Sequence, residues 1–343
     1  MLTKFSKKIV LLGTGGTIAG SAADADDNVG YTAAQLGVEQ LLQATPDLAK
    51  ATYAVVAEQV AQVDSKDMSF AVWRLLALRC AHWLAQSDVQ GIVITHGTDT
   101  LEETAFFLRL VLPANLTACK PVVLTCAMRP ASARFPDGPQ NLSDAFVVAA
   151  DGAAKGVLAV CAGCIHSALH VQKVHPYRLD AFDSGDVGPM GFVEEGSARW
   201  VNAQGPDSAS FDTLTEDVLR ASESVPNALE TLASLTQWPR VEIVMNYAGA
   251  NGFMVDAMLA KSGSVENPLR GLVVAATGNG TLHHDLEAAL LRAQAAGVRV
   301  VLASRCSQGS LVQRSTGPIP DSKGLAPVKA RVALLLELVC AGT

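Results

Sequence analysis

Residues 91–108 read GIVITHGTDTLEETAFFL. From Gly91 to Ile94 the chain is continuously apolar, and from Leu101 the apolar side chains recur at intervals of three and four, so a buried strand runs into an amphipathic helix. Continuous hydrophobicity marks a strand covered on both faces, as in a parallel sheet flanked by helices. Between the two elements Thr95, His96, Thr98, Asp99 and Thr100 crowd around Gly97, more polarity than a plain turn requires. Thr100 and Glu103 have capping-box spacing, which accounts for one threonine. His96, Thr98 and Asp99 are left over, at a strand end facing a positive helix N-terminus, where open parallel sheets bind ligands.

The same alternation extends outward in both directions. KKIVLLGT, TYAVVAEQVAQV, GIVITH, KPVVLTCAM and GVLAVCAG have the run length of strands, and AAQLGVEQLLQA, FAVWRLLALRCAHWLAQ and LEETAFFLRLVL the spacing of helices. Polar, acidic sequence poor in strand signals follows Arg199, and the alternation then resumes with RVEIVMNYAG, LRGLVVAATGNG and VRVVLASRC as strands. The expected architecture is two α/β domains with mostly parallel sheets: a larger N-terminal domain over 1–199, a linker over 200–237 and a smaller C-terminal domain over 238–343.

With 49% hydrophobic and 17% charged residues in 343, the chain can bury a large core. A formal net charge of -7 argues against nucleic-acid or anionic-membrane partners and favours a small polar one. No stretch reaches the roughly 18 apolar residues of a membrane span, and the early IVLL is shorter than a signal segment of about 7 to 15. Seven cysteines do not form a disulfide framework, so a cytoplasmic location is expected. Cys161 and Cys164 make one CxxC pair without a second, which suits a buried strand end better than a metal site. His166, His170 and His175 lack the spacing of a helical metal site, so no metal is expected.

Two other strand ends carry unusual residues. GTGGTIAG, from Gly13, fails the dinucleotide fingerprint because Ile18 stands where a glycine is required. It supplies a flexible turn around Thr17, followed by SAADADDNVGY, either a loop that closes over a site or a hairpin without chemistry. In VDSKDM, Ser65 and adjacent N–H groups can hold a carboxylate, unless Asp67 or Ser69 merely caps the next helix. Thr98 can act as nucleophile or donor, and Asp99 can grip an ammonium group. A threonine nucleophile needs a neighbouring base, and the segment containing Lys173 supplies candidates. Burial lowers a lysine's basicity from about 10.4 whereas a neighbouring aspartate raises it.

GTGGTIAG and ITHGTDTLEETAFFL resemble the two signature motifs of bacterial-type L-asparaginases, and weaker likeness runs through VDSKDM, VQKVHPYRLDAFDSGDVGPMGF, ATGNGTLHHDLEAAL and KARVALLLEL. The resemblance implies hydrolysis of L-asparagine to L-aspartate and ammonia without metal or cofactor, in a homotetramer built as a dimer of dimers. It implies Thr17 as the first threonine, Tyr31 as the lid tyrosine, and Thr98, Asp99 and Lys173 as the second constellation. Ser65 would hold the substrate α-carboxylate beside Lys66 and Gly97, and Asp99 would also contact the α-amino group. Sequence does not decide which threonine attacks; the expectation adopted is Thr17 aided by Tyr31, with Thr98, Lys173 and Asp99 handling protons. N–H groups near Gly97 and Thr98 would stabilise an oxyanion, one such donor being worth about 3 to 4 kcal/mol.

Three departures bear on substrate recognition. Thr281 stands where many members have an asparagine reaching into the neighbouring subunit's site, and the segment after Arg305 lacks an acidic residue that some members lend across the dimer. Lys66 stands where glutamine is common. A glutaminase-asparaginase of broader specificity stays open beside the asparaginase, and so does a non-catalytic amino-acid-binding sensor, against which the presence of Thr17, Tyr31, Thr98, Asp99 and Lys173 argues.

Overall fold

The computed structural model describes residues 7–45, 52–201, 228–262, 266–312 and 317–341. The chain divides into two compact units, Met1–Phe211 and Asp212–Thr343. The first runs through β1 (Lys8–Gly15), α1 (Val38–Gln43), β2 (Ala54–Val63), α2 (Phe70–Leu84), β3 (Val89–Thr95), α3 (Leu101–Val111), α4 (Ala114–Thr117), β4 (Val122–Thr125), α5 (Gly138–Ala150) and β5 (Val157–Cys161). It continues with β6 (Cys164–Ser167), β7 (Gln172–Lys173), β8 (Phe182–Asp183), β9 (Gly191–Glu194) and β10 (Ser197–Trp200).

An 8-stranded sheet is ordered β10-β9-β6-β5-β4-β3-β1-β2. From β2 to β5 every pairing is parallel, and β6, β9 and β10 extend the sheet antiparallel. The ribbon of β7 and β8 stands apart. Ile9 to Leu12 and Ile92 to Ile94 are fully buried, as continuous apolar strands require.

On α2 the buried residues Trp73, Leu76, Ala77, Cys80 and Leu84 follow the helical period. α3 buries Phe106 and Phe107 as well as Leu101, Ala105 and Leu108, so it is covered on more than one side. Trp73 stacks on Phe107 with ring centroids 4.8 Å apart. Glu58 of β2 accepts hydrogen bonds from Arg79 Nε at 2.6 Å and Trp83 Nε1 at 2.8 Å, fastening α2 to the edge strand. The Arg79 guanidinium holds the Glu58 carboxyl below the usual carboxylate range.

The second unit comprises α6 (Ala228–Ser234), β11 (Arg240–Met245), α7 (Phe253–Ser262), β12 (Leu269–Ala276), α8 (His284–Ala295), β13 (Arg299–Ser304) and α9 (Pro327–Cys340). Its sheet is parallel, ordered β11-β12-β13. Pro327 opens α9, where a missing N–H costs nothing. Of the expected linker, 202–227 lies outside the described residues, while Ala228–Ser234 is helical. Among the described residues no helix is long and apolar enough to cross a membrane.

Two local features differ from the sequence expectation. The capping box at Thr100 and Glu103 does not form: Thr100 has no side-chain cap bond, because its hydroxyl donates to the Ser65 carbonyl at 2.9 Å. Sequence patterning does not mark the helix α5 or the strands β6 to β10; the strands are only two to four residues long, too short to show a period.

Candidate active site

Chemistry gathers at the carboxyl ends of β1, β2 and β3. Thr14 Oγ1 donates to the Thr95 carbonyl at 2.8 Å and Gly16 N–H to the Val63 carbonyl at 2.9 Å, tying the three strand ends together. Gly15 and Gly16 have φ of 103° and 82°, in the left-handed region that L side chains avoid. A Cβ on Gly16 would clash with the Cα and N of Gly97, and one on Gly97 would clash with the Ser65 side chain. The turns after β1, β2 and β3 therefore touch through glycines, which brings the neighbourhoods of Thr17, Ser65 and Thr98 together.

Thr17 opens a 3-10 turn, Thr17–Ala19, and is buried. Its Oγ1 lies 2.6 Å from the Tyr31 hydroxyl. Tyr31 comes back over the site at the end of a loop whose base is the Ser21↔Thr32 bridge, and its ring rests on Gly20, where a Cβ would lie 2.8 Å from Cδ2. The acidic loop is latched to the segment after β4. Ala22 N–H donates to Ser132 Oγ at 2.7 Å, Arg134 N–H to the Ala25 carbonyl at 2.9 Å, and the Arg134 guanidinium grips both Asp26 oxygens at 2.7 and 2.6 Å.

Thr98 and Asp99 meet Lys173, which comes from β7. The Lys173 Nζ donates to Thr98 Oγ1 at 2.7 Å and to Asp99 Oδ1 at 2.6 Å. The Lys173 side chain is 18% exposed and that of Asp99 53%, so the carboxylate keeps a face for solvent or a ligand. Glu102, in the first turn of α3, accepts the Lys173 backbone N–H at 2.9 Å and so positions the ribbon.

Ser65 occupies the turn after β2, with its Oγ accepting the Asp99 N–H at 3.2 Å. A hydroxyl that accepts one bond still has a proton to donate. Ser69 caps α2 by accepting from Val72 N–H, so the capping expectation holds for Ser69 alongside the separate place of Ser65 in the site. Lys66 is exposed, and its Nζ lies 2.6 Å from Asp64 Oδ2 and 3.2 Å from Asp67 Oδ2, so its charge is met within its own turn. Those two carboxylates raise its basicity further.

His96, left over in the sequence, is fully buried. Burial pulls its imidazole from 6.5 down to about 4, so it is neutral near pH 7. Sequence reasoning missed its partner Thr104, the Trp73 indole that donates to Thr104, and Glu102. The available signal was a threonine inside the otherwise apolar face of α3.

The other sequence candidates lie elsewhere. Cys161 and Cys164 face each other across the β5–β6 turn, and the Cys161 Sγ lies 3.2 Å from that of Cys126. His166 Nδ1 is 2.8 Å from Ser184 Oγ, whereas His175 Nδ1 accepts from the N–H groups of Tyr177 and Arg178. The Thr281 hydroxyl donates to the Thr277 carbonyl at 3.0 Å, closing its own loop.

Comparison with known proteins gives a consistent result. The family model "Asparaginase, N-terminal" matches residues 8–205, and "Glutaminase/Asparaginase C-terminal domain" matches residues 240–340. Glutaminase-asparaginase of Pseudomonas fluorescens biotype A is 35% identical over 339 residues, covering 96% of this chain and 86% of that one. L-asparaginase 2 of Escherichia coli strain K12 is likewise 35% identical, with 96% and 88% covered. The crystal structure of "Probable Cytoplasmic L-asparaginase" from Campylobacter jejuni aligns with a TM-score of 0.81 at 33% identity, covering 97% of this chain and 95% of that one.

Proposed function

This chain belongs to the bacterial-type asparaginase family, and from that premise we propose that it hydrolyses L-asparagine to L-aspartate and ammonia through an acyl-enzyme. The observation that carries the proposal is the contact of Gly16 with Gly97, which unites one hydroxyl paired with a phenol and another paired with an ammonium. In the first half-reaction Thr17 attacks the side-chain amide carbon, its proton passes by way of Tyr31 to the departing nitrogen, and ammonia leaves. In the second, water attacks the aspartyl ester and Thr17 regains its proton.

Thr98, Lys173 and Asp99 handle the proton of that water. An ammonium donates and cannot accept, so Lys173 polarises Thr98 as found and becomes a base only after passing a proton to Asp99. The half-open Asp99 carboxylate suits the substrate α-ammonium, and the Ser65 hydroxyl with the turn at Gly97 suits the α-carboxylate. Lys66 can add only weak long-range attraction, since Asp64 and Asp67 meet its charge.

The first unit, Met1–Phe211, is proposed to contain these catalytic groups. A homotetramer built as a dimer of dimers is proposed from family membership and from Met245, Tyr247, Phe253 and Met254, exposed on the second unit; a monomer in sedimentation would reject it. A cytoplasmic location is supported by seven cysteines that are all free, and fractionation of the native host tests it.

A second reading, glutaminase-asparaginase, is favoured by the Pseudomonas fluorescens relative, which matches at the same 35% identity as the Escherichia coli asparaginase. Ammonia release from L-asparagine and L-glutamine, with a chelator present, separates the two. Saturable binding without release from either would instead support the amino-acid sensor.

A further inference from the structure

Beneath the turn at Gly97 lies a hydrogen-bond chain whose direction follows from chemistry alone. The Trp73 indole Nε1 is 2.8 Å from Thr104 Oγ1, Thr104 Oγ1 is 2.9 Å from His96 Nε2, and His96 Nδ1 is 2.7 Å from the Gly97 carbonyl oxygen. An indole N–H only donates and a carbonyl only accepts. A carbonyl facing Nδ1 requires a proton on that nitrogen, and a neutral imidazole then has a bare Nε2. Thr104 fits this demand, since it accepts from Trp73 and has one proton to give. Protons thus point one way along the chain, from Trp73 through Thr104 and His96 to the Gly97 carbonyl.

All three side chains are buried, so water does not compete for these bonds. They also come from three elements, α2, α3 and the end of β3. Two of those elements start at the catalytic turns, α2 just after Ser65 and α3 just after Asp99.

The far end of the chain is the informative one. A trans peptide is planar, so holding the Gly97 carbonyl also holds the Thr98 N–H, which points the opposite way in the same plane. A hydrogen bond into that carbonyl makes the N–H a stronger donor. Among the described residues the Thr98 N–H meets no backbone acceptor. We propose that Trp73, Thr104 and His96 are positioning residues that fix and polarise the Gly97–Thr98 peptide, so that the Thr98 N–H is set in advance as a donor to the oxyanion formed during amide hydrolysis. The proposal rests on the asparaginase reading above.

The test joins kinetics with a direct view of the imidazole. Thr104→Val leaves the shape of the side chain but removes the proton given to Nε2, and Thr104→Ser restores it. Removing one oxyanion donor outright costs about a hundredfold or more, so loosening one is expected to lower kcat about tenfold. KM for L-asparagine should change less than about twofold, because the oxyanion exists only beyond the ground state. Thr104→Ser should recover most of kcat even if its melting temperature stays below wild type. In the wild-type protein, nitrogen NMR should place the His96 proton on Nδ1, and Thr104→Val should keep that proton in place while shifting the Nε2 resonance, because that nitrogen loses its hydrogen-bond donor.

A wild-type proton on Nε2 would overturn the relay. So would a Thr104→Val enzyme with unchanged kcat, or one whose losses in kcat and melting temperature are shared equally by Thr104→Ser. Absence of ammonia release by the wild type would strike the asparaginase reading instead, and the positioning role with it, while the tautomer would still decide whether the relay exists.

Discussion

At the scale of single residues, two glycines without side chains matter as much as the residues that carry chemistry. Gly97 is crowded by the Ser65 side chain and by the backbone of Gly16. Gly97→Ala is expected to abolish measurable turnover while the sheet core, which it does not touch, keeps the protein folded; near-normal kcat in this variant would contradict the account. His96 makes a prediction about acid stability. Its imidazole is pulled from 6.5 down to about 4 by burial, so between those values the unfolded chain binds a proton that the native chain refuses. Stability must then fall as pH drops through this window, and be regained as pH rises. Urea midpoints from pH 7 to pH 4 should fall more steeply for wild type than for His96→Asn; parallel curves would argue against a neutral buried imidazole. Much of the site was legible at this scale, because surplus hydroxyls and charge beside glycines are not needed to make a turn. Trp73 and Thr104 were not, since both sit at apolar helix positions where a polar atom gains meaning only from its partner in space.

At the scale of elements, the loop carrying Tyr31 is held by a short list of bonds to the segment after β4. The Asp26–Arg134 pair is bidentate, yet each side chain is 62% exposed. An exposed pair contributes about 0.2 to 1 kcal/mol, too little to matter for global stability. It is enough to shift a loop between open and closed populations by about 1.4- to fivefold. Asp26→Asn should raise KM for L-asparagine by a factor in that range without moving the melting temperature, and added salt should narrow the difference from wild type. Equal KM values at low salt would show that the latch does not govern closure. The parallel strands and the long helices were readable because continuous apolar runs and the three-to-four period leave few alternatives. The strands β6 to β10 were hidden, because register with a neighbour defines them rather than any pattern of their own. Thr100 carries a similar lesson: its spacing to Glu103 fits a capping box, but the Ser65 carbonyl is a competing acceptor supplied by the fold.

At the scale of the whole molecule, the sheet of the first unit acts as the frame that brings turns far apart in sequence to one edge. Thr17 follows β1, Ser65 follows β2 and Thr98 follows β3, while Lys173 arrives from a ribbon outside the main sheet. Substrate selectivity belongs to this scale as well. Thr281, on the second unit, uses its hydroxyl to close its own loop, so any contribution it makes to a neighbouring site differs from that of an asparagine amide. The central claim is that two threonines from separate turns serve one hydrolytic centre. The measurement that tests it most directly is metal-independent ammonia release from L-asparagine by wild type, Thr17→Ala and Thr98→Ala, each checked for native folding. The account predicts release by the wild type and a loss of at least about a hundredfold in each variant, as removal of either a nucleophile or its proton-handling partner requires. Full activity in either folded variant would contradict it.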